Sequence, residues 1–181
     1  MYFMDSERKE EILEKINKAS SGDYEVTWEN NAAGVPKLLK KKSEIAKGKK
    51  SKKSGGDFEL KVRKNLEELG WIVAKWPNNV DLEIKKIIQT KRIFNPFKKV
   101  MTIGTGFPDF IAFQLVGEKT YNVIGVESKL NGTLSKEEKE KCAFLLNTKV
   151  FNNIWISSKN EDGKIQYIDF KEKFGEKFDV E

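Results

Sequence analysis

Hydrophobic periodicity along this 181-residue chain predicts an α/β protein with a central mixed β-sheet flanked by helices. Three observations carry the prediction. A helical stripe of Phe58, Val62, Leu66 and Leu69 runs straight into an extended apolar segment at 71–75. Two apolar runs, 109–115 and 121–130, flank Gly117-Glu118-Lys119, a hairpin turn. A second helical pattern after Ser135 leads to runs at 153–157 and 165–170, joined by Asp162-Gly163. Helical and extended periods that alternate in this way belong to α/β architectures.

Taken in order, residues 5–19 read as a helix. Acids fill the first turn, Ile12, Leu13 and Ile16 recur at helical spacing, and Ser20-Ser21-Gly22 stops it. Residues 23–36 read as irregular or briefly extended. Between 37 and 53 stand nine lysines and one acid, Glu44. With the Ser and Gly residues around them, they predict a solvated linker or mobile arm over 37–56. Residues 1–54 are therefore an N-terminal helical and basic extension, and residues 55–181 the main domain. Gly70 is placed to cap the helix at 57–69. Within 77–100, Ile84, Ile87 and Ile88 have helical spacing until Asn95-Pro96 breaks it. Residues 104–108 form a turn. Ser135 and Glu138 have capping-box spacing, with Cys142, Leu145 and Leu146 on the apolar side of the helix that follows.

Composition narrows the chemistry sharply. The chain has no histidine, which removes Ser-His-Asp and Cys-His catalysis, histidine zinc sites and imidazole bases. Its single cysteine, Cys142, forms no internal disulfide and reads as a small buried hydrophobe. No apolar run reaches membrane-spanning length, and the first residues lack a basic and apolar leader. The expectation is a soluble, cytoplasmic protein without a membrane partner. Carboxylates, lysines, hydroxyls or a bound ion must carry any catalysis.

The residues that fit this requirement lie at the centre. Pro108-Asp109 opens one predicted strand, and Glu127-Ser128-Lys129 closes its hairpin partner. Strand alternation puts Glu127 and Lys129 on one face. Asp109, at the start of the neighbouring strand, comes close to Glu127 if the pair is antiparallel. Two carboxylates suit Mg2+ or, as a substitute, Mn2+, with the Ser128 carbonyl as a further oxygen ligand. Lys129 then orients or deprotonates a water, or stabilises phosphoryl charge. The base role requires its pKa to fall from about 10.4. Each half alone is ordinary: Glu-x-Lys is common amphipathic patterning and Pro-Asp is common turn chemistry. Their coincidence in one hairpin is the more specific signal.

Pro108-Asp109 with Glu127-Ser128-Lys129 resembles the PD-(D/E)xK nuclease superfamily. Phe58-Glu59, Gly70-Trp71-Ile72-Val73 and Leu134-Ser135-Lys136-Glu137-Glu138 extend the resemblance over roughly residues 55–158, towards archaeal Holliday junction resolvases and restriction endonucleases. The segment 76–106 is longer than in compact junction resolvases. The resemblance implies a restriction-endonuclease-like core and a Mg2+-dependent deoxyribonuclease acting on DNA, branched or junction DNA among its substrates. It adds Glu59 to Asp109, Glu127 and Lys129 as catalytic residues, and it implies a homodimer as an assembly. Lys49, Lys50, Lys52, Lys53, Lys91, Arg92 and Lys136 are the expected nucleic-acid contacts, with Lys85, Lys86, Lys98 and Lys99 close by. The alternative from another class is a noncatalytic DNA-binding or assembly module on the same fold. An RNA or nucleotide substrate is a third reading.

Overall fold

The computed structural model describes residues 6–28, 36–90, 92–95, 99–103 and 106–180. Lys91 and Lys98, and the side chain of Arg92, lie outside the described residues. The chain divides into two units, Met1–Ser54 and Gly55–Glu181.

In the first unit, α1 (Ser6–Ser20) precedes an antiparallel pair, β1 (Tyr24–Trp28) and β2 (Pro36–Lys41), with Val26 opposite Leu38. Helix α1 carries Lys15–Glu11 and Lys18–Glu14 pairs one turn apart, while Leu13 and Ile16 stay exposed. Where composition predicts a linker, α2 (Lys42–Glu68) begins and continues into the second unit. Lysine and alanine favour helix, and Glu44 lies in the first turn. Gly55 and Gly56 each cost about 1 kcal/mol in a helix interior. Buried Phe58, Val62 and Leu66 anchor the half that follows them.

The second unit is built on a five-stranded sheet of order β11-β10-β9-β8-β3. Its strands are β3 (Ile72–Lys75), β8 (Phe110–Gly117), β9 (Thr120–Ser128), β10 (Asn153–Lys159) and β11 (Ile165–Asp169). Only β9 and β10 run parallel; helix α3 (Lys136–Asn147) makes their crossover. The sheet is therefore mixed, as its sequence predicts. Alternation gives it two apolar faces. Phe110, Ala112, Ile124 and Val126 join Phe58, Val62 and Leu66 of α2, with Trp71 edge-on to Trp155. Ile154 and Ile156 join Cys142, Leu145 and Leu146 of α3 and Phe170 of the final helix.

Three local readings change. The helix expected from Ile84, Ile87 and Ile88 is instead a hairpin of β4 (Asn78–Asp81) and β5 (Lys86–Gln89). Asp81 Oδ1 accepts from the N–H groups of Glu83 and Ile84, an Asx turn that diverts the backbone. All three isoleucines are exposed, so no burial rewards the helical alternative. A second hairpin, β6 (Arg92–Asn95) with β7 (Val100–Ile103), follows. The third change is at the end of the chain. The last strand stops at Asp169, whose side chain caps α4 (Phe170–Phe178), and Phe170, Phe174 and Phe178 cluster at helical spacing.

No helix among the described residues is long and apolar enough to cross a membrane.

Candidate active site

The β8/β9 register places Phe110 opposite Val126, so Asp109, one residue earlier, faces Glu127. Two hydrogen bonds lock the pair. The Asp109 N–H donates to Glu127 Oε2 at 3.1 Å, and the Ser128 N–H donates to Asp109 Oδ2 at 2.9 Å. Each carboxylate is thus held by the other strand's backbone. Lys129, two residues beyond Glu127, places its ammonium 3.0 Å from Glu127 Oε1 and 2.6 Å from Glu138 Oε1. All four side chains line one cavity of about 340 Å³, together with Asn79 and Lys141.

The loop that delivers Asp109 is closely built. Phe107-Pro108 is cis, and the Phe107 N–H donates to the Asn78 carbonyl at 2.8 Å. Gly106 runs so near β4 that a Cβ there would lie 1.8 Å from the Trp76 carbonyl oxygen. Only glycine allows that approach.

Burial sets the electrostatics. Glu127 is 4% exposed. Desolvation, then the Asp109 charge, pushes its pKa up to about 8 against the pull of Lys129. Asp109 also rises, through desolvation and the nearby Glu59 charge, although the Ser128 N–H, Lys75 and Lys129 favour its anion. Burial alone would depress Lys129; its bonds to Glu138 and Glu127 outweigh that and raise it above the ordinary lysine value. Lys129 is therefore a held ammonium. A general-base role would need the opposite shift.

Glu59 takes a different position from the other three. It pairs with Lys75, whose ammonium also sits 4.4 Å from the Phe110 ring centre, and it reaches Asp109 through its charge. Glu59 does not line the cavity. The Ser128 hydroxyl is buried and has no hydrogen-bond partner among the described residues. Lys49, Lys50, Lys52 and Lys53 lie exposed on the α2 segment of the first unit. Lys136 opens α3 with its side chain 91% exposed, 3.8 Å from Glu140.

The donor set fits a hard divalent cation in a limited way. Among the described residues no cluster of three or more Asp, Glu, His or Cys side chains is disposed to hold a metal ion. Asp109 and Glu127 make a two-carboxylate set. Mg2+ is commonly held by one or two carboxylates, with waters and substrate phosphate oxygens completing its shell. Two desolvated acids, one raising the pKa of the other, are also the chemistry that a cation relieves.

Sequence reasoning passes over several residues of this site. Glu138 is legible only as a capping-box residue. It fills that role, accepting from the Ser135 N–H, while its other oxygen binds Lys129. Lys75, Asn79 and Lys141 carry no signal in the sequence that separates them from surface polar residues. Comparison with protein-family models, curated proteins and solved structures finds no match for this chain.

Proposed function

We propose that this protein is a metal-dependent endonuclease of the PD-(D/E)xK type, with a restriction-endonuclease-like core, that hydrolyses phosphodiester bonds in DNA. The observation that carries the proposal is the Asp109–Glu127 pair with Lys129 beside it in one cavity. An acid pair with Glu127 buried and Asp109 half-buried is costly for stability, and strongly perturbed carboxyls in a cleft are typical of functional sites. With no histidine in the chain, few other groupings offer hydrolytic chemistry.

Each residue has a role. Asp109 and Glu127 would hold Mg2+, or Mn2+ in its place, with the Ser128 carbonyl as a further ligand. The bound ion supplies Lewis-acid stabilisation of charge on the phosphoryl oxygens. Lys129 remains protonated, steadied by Glu138, and donates towards the reacting phosphate or the incoming water. Glu59 tunes Asp109 by its charge from outside the cavity. The lysines of α2, with Lys136, add attraction for the nucleic-acid backbone that is independent of sequence.

The test is cleavage of linear, circular, single-stranded and four-way-junction DNA in Mg2+ and in EDTA. Wild type should cut at least one of these in Mg2+ alone, with Asp109→Asn and Lys129→Ala severely impaired. Cleavage indifferent to both substitutions would overturn the assignment. Metal-independent binding without cleavage would favour a noncatalytic DNA-binding module.

A further inference from the structure

The cavity holds a second lysine that the proposed chemistry does not use. Lys141 lies on α3 with only 12% of its side chain exposed, whereas Lys136 on the same helix is 91% exposed. A lysine with open solvent one turn away is instead laid along the cavity wall. Its ammonium is 2.7 Å from Glu137 Oε1 and 5.8 Å from the centre of the Phe107 ring, in the loop that delivers Asp109. Across the same cavity stands Asn79 of β4. Its Oδ1 accepts from the Val80 N–H at 2.8 Å, which leaves the amide NH2 as its donor. Val80, Phe107, Leu134 and Cys142 share one buried cluster, so β4, the Asp109 loop and α3 hold Asn79 and Lys141 in fixed places.

We propose that Lys141 and Asn79 form a subsite for a backbone phosphate of the DNA strand, beside the Asp109–Glu127 pair. The inference rests on reading this cavity as the place where a DNA strand lies. The charge layout favours it. Lys129 is engaged on both sides by Glu127 and Glu138. Among the described residues Lys141 has a single carboxylate partner, Glu137, which is 68% exposed at the rim. An ion pair with an exposed partner is weak, so a phosphate oxygen can replace Glu137 at small cost. An ammonium and an amide donor are a common pair for a phosphate diester. The 76–106 insertion, which supplies Asn79, thereby takes part in substrate binding.

The test is fluorescence anisotropy with a labelled duplex and a labelled four-way junction, in EDTA, across a series of KCl concentrations. Lys141→Met keeps the stem and removes the charge. Asn79→Asp keeps the acceptor for Val80 and replaces the NH2 donor with an anionic oxygen. Lys139→Met, whose ammonium sits over Phe174, is the charge control. Lys141→Met should lower the slope of log affinity against log salt by about 0.9, the loss of one phosphate contact. Asn79→Asp should weaken binding about tenfold or more, and Lys139→Met should match wild type. Wild-type affinity and slope in both Lys141→Met and Asn79→Asp would overturn the subsite. If Lys141→Met fails to fold, Asn79→Asp decides alone. Parallel cleavage assays of wild type in Mg2+ separate the two ideas. Cleavage with an unchanged slope removes the subsite and leaves the nuclease; a changed slope without cleavage does the reverse. Absence of both DNA binding and cleavage by wild type removes both.

Discussion

Glu127 makes the metal-free protein less stable as pH rises through neutrality, and the size of the effect follows from its surroundings. The carboxyl is 4% exposed and faces Asp109, and its folded pKa stands at about 8 against an ordinary 4.5. The folded protein therefore keeps a proton that the unfolded chain releases in this window. Stability from this group is complete below about 4.5 and is lost progressively until about 8. At 1.36 kcal/mol per pH unit, the loss is on the order of 4 to 5 kcal/mol. Above that window both Glu127 oxygens still accept N–H donors, from Asp109 and Lys129, so the anion is held but remains desolvated. The assay is urea unfolding followed by tryptophan fluorescence in EDTA, from acid to mildly alkaline pH, on wild type and Glu127→Gln. The amide introduced by Glu127→Gln cannot titrate, so the fall in stability should flatten in the variant whatever its absolute stability. Mg2+ added to wild type should restore stability most strongly at the alkaline end, because the cation favours the ionised carboxylates. Identical pH slopes for wild type and Glu127→Gln would refute the reasoning.

Three further outcomes follow from the same site. Mg2+ should raise the unfolding temperature of wild type, by the equivalent of about 2.7 kcal/mol when the ion is a hundredfold above its dissociation constant. Asp109→Asn should abolish that rise in differential scanning fluorimetry, and an undiminished rise would place the ion elsewhere. Glu138→Gln keeps a capping box, which accepts Gln at that position, but removes the charge that steadies Lys129. It should leave α3 intact by circular dichroism while slowing cleavage; a loss of helix with unchanged cleavage would reverse the roles assigned to Glu138. Gly125→Ala should cost about 1–3 kcal/mol by overpacking. Its new Cβ would meet Pro108 Cγ at 2.8 Å, Phe151 at 3.2 Å and Ile154 at 3.3 Å. Because Pro108 carries Asp109, cleavage should fall with stability, and full stability in this variant would count against the close packing.

The residues show why some of this is legible in the sequence and some is not. Burial writes a period into the chain wherever it is one-sided. Phe58, Val62 and Leu66 on α2 form such a stripe, and β8 to β10 are legible as apolar runs although the sheet is covered on both faces. The Asp109–Glu127 encounter is readable because a short hairpin with a fixed register leaves little freedom in what stands opposite what. The same logic explains the misreadings. In the 76–106 segment Ile84, Ile87 and Ile88 are exposed, so their spacing reports no buried face, and the Asx turn at Asp81 decides the backbone. The lysine-rich stretch has no buried stripe either, yet from Lys42 onward it is helical, because charge density says little about backbone and its lysines and alanine favour helix despite the glycines. Helix α4 does have a period, Phe170, Phe174 and Phe178, but the extended pattern ending at Phe170 absorbs its first member. Glu138, Asn79 and Lys141 are hidden for a different reason. Their importance depends on three elements distant in sequence, β4, the Asp109 loop and α3, packing around Val80 and Phe107. No local spacing encodes that meeting. A site read from one hairpin therefore contains the paired acids and their lysine, and omits the groups that tertiary packing brings to its rim.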